Sequence, residues 1–246
     1  MRLYAYLIYF FLYFPIAVIV FFSFNSGKHA SDFQGFSLKW YPKLFDNPFL
    51  IDAFNTSLTV ALISAILAST FGTMAAIGLN NLKGKLRVFY DSLVYISVMI
   101  PGIVIGIATL IALVTLFGFL NPLLANIWPS SLGKPPVLNL GYVSLIGAHT
   151  LFTMSLSILI VRSRLNGMDR NLIEASNDLY GTPVKTFLKI TLPQLFPAIL
   201  SAFLLSFTFS FDDFIIAFFV AGSETTLPVY VFSSIRRGVT PEINAI

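Results

Sequence analysis

The stretch Arg162 to Pro197, RSRLNGMDRNLIEASNDLYGTPVKTFLKITLPQLFP, decides how the rest of the chain is read. It interrupts an apolar sequence with a concentration of polar and basic side chains. Asp169 can cap a short helix through Leu172, Ile173, Ala175 and Leu179, because a short side-chain acceptor ahead of an apolar-periodic run satisfies free backbone donors. Gly181 ends that helix. Thr182 before Pro183 starts a second, since proline at the first helical position sacrifices no hydrogen bond. Val184, Phe187, Leu188 and Ile190 give this second helix an apolar side, and Pro193 marks the next start. Two short amphipathic helices joined at a glycine, basic on the polar side and set between long apolar spans, predict a surface that docks a partner outside the bilayer.

The surrounding composition makes it a membrane chain. Of 246 residues, 57% are hydrophobic and only 11% charged, a balance that excludes a soluble globule. Several runs reach the roughly 20 apolar residues an α-helix needs to cross the hydrocarbon core. The net charge of +4 sits in short connections, where it reports topology rather than affinity for nucleic acid. With no cysteine there is no disulfide framework, thiol nucleophile or cysteine-held metal.

Outward from the polar stretch, span four covers about Leu140 to Val161 and span five about Pro193 to Ala221. Upstream, span one runs from about Leu3 to Phe24, too long and aromatic for a cleaved signal peptide. A water-exposed loop, Asn25 to Asp52, follows with Lys28, Lys39, Lys43 and interface-suited Trp40, and is expected to form short surface helices. Span two, about Ala53 to Leu79, is rich in Ser, Thr, Ala and Gly, as expected where helices pack closely. Lys83, Lys85 and Arg87 mark the inner side, and so do Arg162, Arg164, Arg170, Lys185 and Lys189. The N-terminus then lies in the cytoplasm. Span three, about Val88 to Gly118, is interrupted at Pro101, Gly102 and Gly106; such breaks survive only where protein or a water-filled cavity satisfies the freed backbone. This break reads equally as a pathway element or a packing kink. Phe119 to Asn139 reads as an outer loop. Thr240-Pro241-Glu242 reads as another helix start, so a sixth span is expected beyond the five complete ones. The chain divides into an N-terminal anchor with its outer loop, 1–52, and a membrane core, 53–246, carrying the cytoplasmic loop 162–192.

Chemical motifs are sparse. The one Gly-Lys that resembles a phosphate loop, Gly27-Lys28, lacks its leading glycine, where Phe22 stands. His29 and His149 are isolated and read as packing residues, so no metal site is predicted. The intramembrane acids carry more information. Asp212 and Asp213 fall on the order of 29 Å along a helix begun at Pro193, toward the outer end, and charges in spans usually face a cavity or a partner. Ser206, Ser210 and Asp213 share one helical stripe, beside a second of Phe203, Phe207, Phe211, Phe214 and Phe218. A carboxylate beside aromatic faces suits an organic cation. The phenylalanine stripe alone reads as lipid-facing packing.

Glu174-Ala175-Ser176, Tyr180-Gly181 and Ile190-Thr191-Leu192-Pro193 resemble the EAA loop of ABC-importer permease subunits, with the MetI-like fold. Further similarity, through Phe24-Asn25-Ser26, Gln34-Gly35-Phe36, Lys39-Trp40-Tyr41, Ser206 to Asp213 and Leu227 to Ala245, is to spermidine/putrescine permeases of PotC type. The resemblance implies an all-α integral membrane protein of the bacterial inner membrane, five transmembrane helices plus the start of a sixth, and no catalytic activity of its own. It implies coupling to an ATPase through Glu174, Ala175, Tyr180, Gly181, Ile190, Leu192 and Pro193. It also implies a polyamine pathway along Asp212, Asp213, Ser206, Ser210 and Trp40. The implied partners are a second homologous permease, a dimer of ATP-binding subunits that would hold ATP and Mg, and an extracytoplasmic solute-binding protein. A permease for an amino acid, sugar or metal chelate is the alternative, with an ion-coupled carrier or channel further off. Two positions depart from the family: Tyr180 stands where a glycine is expected, predicting a break shifted by one residue to Gly181, and Gly102 stands where polyamine permeases often carry an acid after Pro101.

Overall fold

A computed structural model describes residues 2–29, 32–129, 132–169 and 171–246, so Arg170 lies outside the described residues. Every regular element among them is helical. Five helices are long and apolar enough to cross a membrane: Leu3–Ser23, Pro48–Asn80, Gly102–Ile127, Tyr142–Asn166 and Pro183–Phe211. The chain forms two compact units, one of residues 1–56 with 225–246 and the other of residues 57–224.

The first unit holds α1 (Arg2–Ser23), α2 (Trp40–Asp46), α11 (Leu227–Arg237) and α12 (Pro241–Asn244), with the beginning of α3 (Pro48–Asn80). The loop between α1 and α2 is folded around the buried side chain of Asn25. Its Oδ1 accepts the Gly27 and Gln34 N–H groups at 3.0 and 2.9 Å, and its Nδ2 donates to the carbonyls of His29 and Asp32 at 3.0 and 2.7 Å. All the side chain's hydrogen-bonding capacity is thus used inside the loop. The Trp40 indole donates to the Asn25 carbonyl at 2.8 Å, fastening the start of α2 to the same residue. α2 is the expected surface helix, and α12 forms at Thr240-Pro241.

The second unit is organised on α6 (Tyr142–Asn166) packed against α9 (Leu192–Phe211). Ile158 and Val161 of α6 bury against Leu195 and Ala202 of α9, joined by Ala76 of α3 and Val94 of α4 (Gly84–Met99). Close approach depends on small residues, as lipid leaves no hydrophobic force between helices. A Cβ on Gly72 would come within 2.6 Å of the Ser157 Cβ, so only glycine lets α3 lie this near α6.

Three boundaries differ from the sequence reading. Span three is two helices, α4 and α5 (Gly102–Ile127), separated by extended backbone at Ile100 and Pro101. Proline disfavours helical conformation in the residue before it, so the interruption becomes a full break. α5 then continues through Pro122 to Ile127, making helix of the first part of the expected outer loop. Finally, no helix restarts at Pro193. α8 (Pro183–Thr186), a π turn (Phe187–Thr191) and α9 form one run in which the Leu192 N–H reaches the Phe187 carbonyl. The wide turn absorbs a proline that has no N–H and crowds the carbonyl four residues back.

Candidate functional site: a polar handle and a helix break

Two regions of the second unit carry the polar residues. The first lies between α6 and α9. Asp169 Oδ1 accepts the Asn171 N–H at 2.9 Å and opens α7 (Asn171–Asp178), whose first turn holds Glu174 where a negative charge favours the helix dipole. Thr182 Oγ1 accepts the Lys185 N–H at 3.4 Å and opens α8. Both predicted caps are present.

The junction corrects the expected shift of the break. Tyr180 itself adopts φ 59°, the left-handed conformation that usually falls to glycine at this position. The Tyr180 N–H donates to the Asn177 carbonyl at 2.9 Å and the Gly181 N–H to the Ser176 carbonyl at 2.8 Å, a complete Schellman ending. Gly181 serves a different purpose. A Cβ there would run into Ser176 and Thr186, whose hydroxyls join α7 to α8 at 2.8 Å. The turn therefore stands where the family places it, at a cost of about 1–2 kcal/mol for a left-handed non-glycine residue. It also presents Tyr180 at 96% and Leu179 at 83% exposure, with Val184 and Leu188 nearby in sequence and also exposed. Glu174 and Ala175 are exposed, while Ile190 and Leu192 are half-buried. These are exposed apolar side chains on an otherwise polar segment.

The second region is the end of α9. The helix stops at Phe211, and Asp212 and Asp213 occupy a short break before α10 (Ile215–Val220). They therefore do not ride on a continuous helix to Ala221, and the phenylalanine stripe divides into a Phe207–Phe211 pair and a Phe214–Phe218 pair. Asp213 Oδ2 accepts the Ala217 N–H at 3.0 Å and stands 3.6 Å from His149 Nε2, while Asp212 is exposed. His149 is 1% exposed, its Nδ1 lies 2.7 Å from Ser210 Oγ, and its Nε2 has no hydrogen-bond partner. Ser206 Oγ lies 2.9 Å from Ser157 Oγ, and Thr153 Oγ1 donates to the His149 carbonyl at 2.7 Å. The stripe of Ser206, Ser210 and Asp213 is thus assembled against α6, with both serines buried in the α6–α9 seam.

Trp40 belongs to the first unit. Its ring is covered by the ammonium groups of Lys39 and Lys43, 5.0 and 4.9 Å from its centroid, so its faces are taken by the chain's own cations. Sequence reasoning missed Asp91, whose carboxylate meets Arg162. The available signal was that it is the only acid between Gly84 and Ile127.

Residues 68–246 match the family described as binding-protein-dependent transport system inner membrane component. The chain is 37% identical over 239 residues to the putrescine transport system permease protein PotI of Escherichia coli K12, covering 96% of this chain and 80% of that one. It is 36% identical over 244 residues to the spermidine/putrescine transport system permease protein PotC of Haemophilus influenzae, covering 99% and 87%. Among solved structures, a bacterial ABC transporter importing the acidic polysaccharide alginate matches with TM-score 0.73 and 16% identity over 99% of this chain and 87% of that one. The MetNI methionine transporter in inward-facing form matches with TM-score 0.60 and 17% identity, covering 82% and 86%. These two establish the fold. The chain belongs to the family of inner-membrane components of binding-protein-dependent transport systems. It is a multi-pass permease subunit of the inner membrane, a conduit rather than a catalyst.

Proposed function

We propose that this permease imports polyamines, with Asp212 and Asp213 contacting the ammonium groups of the cargo. The supporting observation is the position of the two carboxylates. They occupy a helix break directly after the apolar span Pro183–Phe211, Asp212 exposed and Asp213 3.6 Å from His149 Nε2, in a chain whose relatives are putrescine and spermidine permeases. Acids at the end of a membrane helix are costly and are usually kept for a cavity, a cargo or a charged partner. Ser206 and Ser210 act from behind, fixing α9 on α6. ATP and Mg would bind a dimer of ATPase subunits docked on the face of Leu179, Tyr180, Val184 and Leu188, with Glu174 and Asp169 holding α7 in place. A second permease would complete the pathway, a solute-binding protein would deliver cargo outside, and the N-terminus would lie in the cytoplasm.

The test is uptake of labelled putrescine and spermidine by cells carrying this gene with those of its partner subunits. ATP-dependent uptake is expected, and it should be lost in the double variant Asp212→Asn, Asp213→Asn. Full polyamine uptake by that variant, with the protein inserted at normal levels, would remove the acid pair from the pathway.

A further inference from the structure

The ion pair of Asp91 and Arg162 is used by nothing described so far. Arg162 Nη1 and Nη2 meet Asp91 Oδ1 and Oδ2 at 2.5 and 3.0 Å, a two-pronged contact of guanidinium on carboxylate. Arg162 is 8% exposed, and Arg87 Nε stands 3.7 Å from Asp91 Oδ2. A guanidinium buried this far at the end of a membrane helix is tolerated only while it is paired.

Its neighbours make the pair a mechanical tie. Val94 of α4 packs with Ile158 and Val161 of α6, but beside that contact Leu86, Tyr90 and Leu93 of α4 and Met154, Ser155 and Ile158 of α6 line an apolar cavity of about 780 Å³. A second cavity, about 210 Å³, borders the break at Ile100 beside Val104 and Ala148. Such space lets α4 tilt without tearing packed contacts. Arg162 is the first residue of the coupling segment, and Arg164 fastens the same helix end to α9 through the Gln194 carbonyl at 3.1 Å. Beyond the break, α5 packs on α10 so closely that a Cβ on Gly106 would come within 2.7 Å of the Phe219 ring. α10 begins directly after Asp213.

We infer that Asp91 is a positioning residue for transport: its pair with Arg162 carries displacement of the coupling segment into α4, and across the break at Pro101 into α5 and α10. This inference rests on the reading of the chain as an ATPase-driven importer. Asp91 acts on transport through Arg162 rather than through the cargo. It converts movement of the handle into movement of the helix that abuts the acid pair.

The test uses the whole transporter with its partner subunits in proteoliposomes, reading polyamine imported per ATP hydrolysed. In Asp91→Asn this ratio is expected to fall about tenfold, and the exchange Asp91→Arg with Arg162→Asp should recover it to within about threefold of wild type. An Asp91→Asn complex that is coupled to within about twofold of wild type overturns the inference. So does an exchange variant that assembles but stays as poorly coupled as Asp91→Asn, because restoring the pair would then not restore coupling. Should Asp91→Asn fail to copurify with the ATPase subunit, Arg162→Lys decides the matter. That variant keeps the charge, loses the fork, and is expected to lower the ratio; wild-type coupling in it overturns the inference. Absence of ATP-driven polyamine import by the wild-type control would count against the proposed function instead.

Discussion

The polar segment between α6 and α9 and the helix break at Asp212 and Asp213 are both polar interruptions of apolar sequence, yet they are built in opposite ways. In the segment from Asp169 to Thr191 most of the described side chains are exposed, and local hydrogen bonds supply the order: an aspartate cap, a Schellman turn, a threonine cap. At the break the order comes from another helix. His149, Thr153 and Ser157 of α6 hold Ser206, Ser210 and Asp213, so the acids sit where α6 allows. Surface that must bind a partner can be shaped by its own caps. Polar groups inside a membrane must be satisfied by a neighbouring span.

The largest expected effect is at the break. Asp212→Asn with Asp213→Asn should lower polyamine uptake by about 10- to 100-fold, since hydrogen bonds to charged groups contribute about 1.5–3 kcal/mol. If the acids served the ATPase drive rather than the cargo, the same variant would lower binding-protein-stimulated ATP hydrolysis in proportion to uptake, which measuring both separates. Next, Gly181→Val should drive its side chain into Ser176 and Thr186 and part α7 from α8. Copurification of the ATPase subunit should fall about tenfold, while the protein stays inserted, because overpacking costs about 1–3 kcal/mol. Glu174→Ala removes a favourable charge from the first turn of α7, worth about 0.3–1 kcal/mol. Transport-linked hydrolysis should fall by about two- to fivefold, and unchanged hydrolysis would show that the handle tolerates a frayed α7.

The smallest effect is the most diagnostic. Tyr180→Gly relieves the left-handed strain but adds chain entropy in the unfolded state, so the net stabilisation should be about 0.5–1 kcal/mol, visible as a higher Tm of the purified permease. Coupling should fall in the same variant, because the most exposed aromatic on the docking face is lost. A variant that gains stability and also keeps full coupling would mean that the Tyr180 side chain is not needed for docking.

The handle was the more legible of the two regions for the reason that separates them. Asp169, Thr182 and Pro183 act within three residues of themselves, so their roles can be read along the chain, and all three begin helices as expected. Where tertiary contacts intervene, local reading failed. Pro193 looked like a helix start, but the π turn carries one helix through it. Pro101 looked like an interruption within one span and is a complete break between two helices. Tyr180 looked like a displaced turn, because propensity disfavours a tyrosine at φ 59°, but the helix pair holds it there. His149, read as a packing residue, does accept that role through Ser210, while its second nitrogen faces Asp213.

By itself the sequence determined the apolar spans, the basic connections between them and the capped helix pair, because hydrophobic run length, charge placement and caps are properties of neighbouring residues. Only the tertiary structure decided which polar groups meet. Arg162 finds Asp91 across 71 positions and His149 finds Ser210 across 61. No periodicity connects residues so far apart; the pairing follows from which helices lie side by side, and the low dielectric between them makes each pairing necessary.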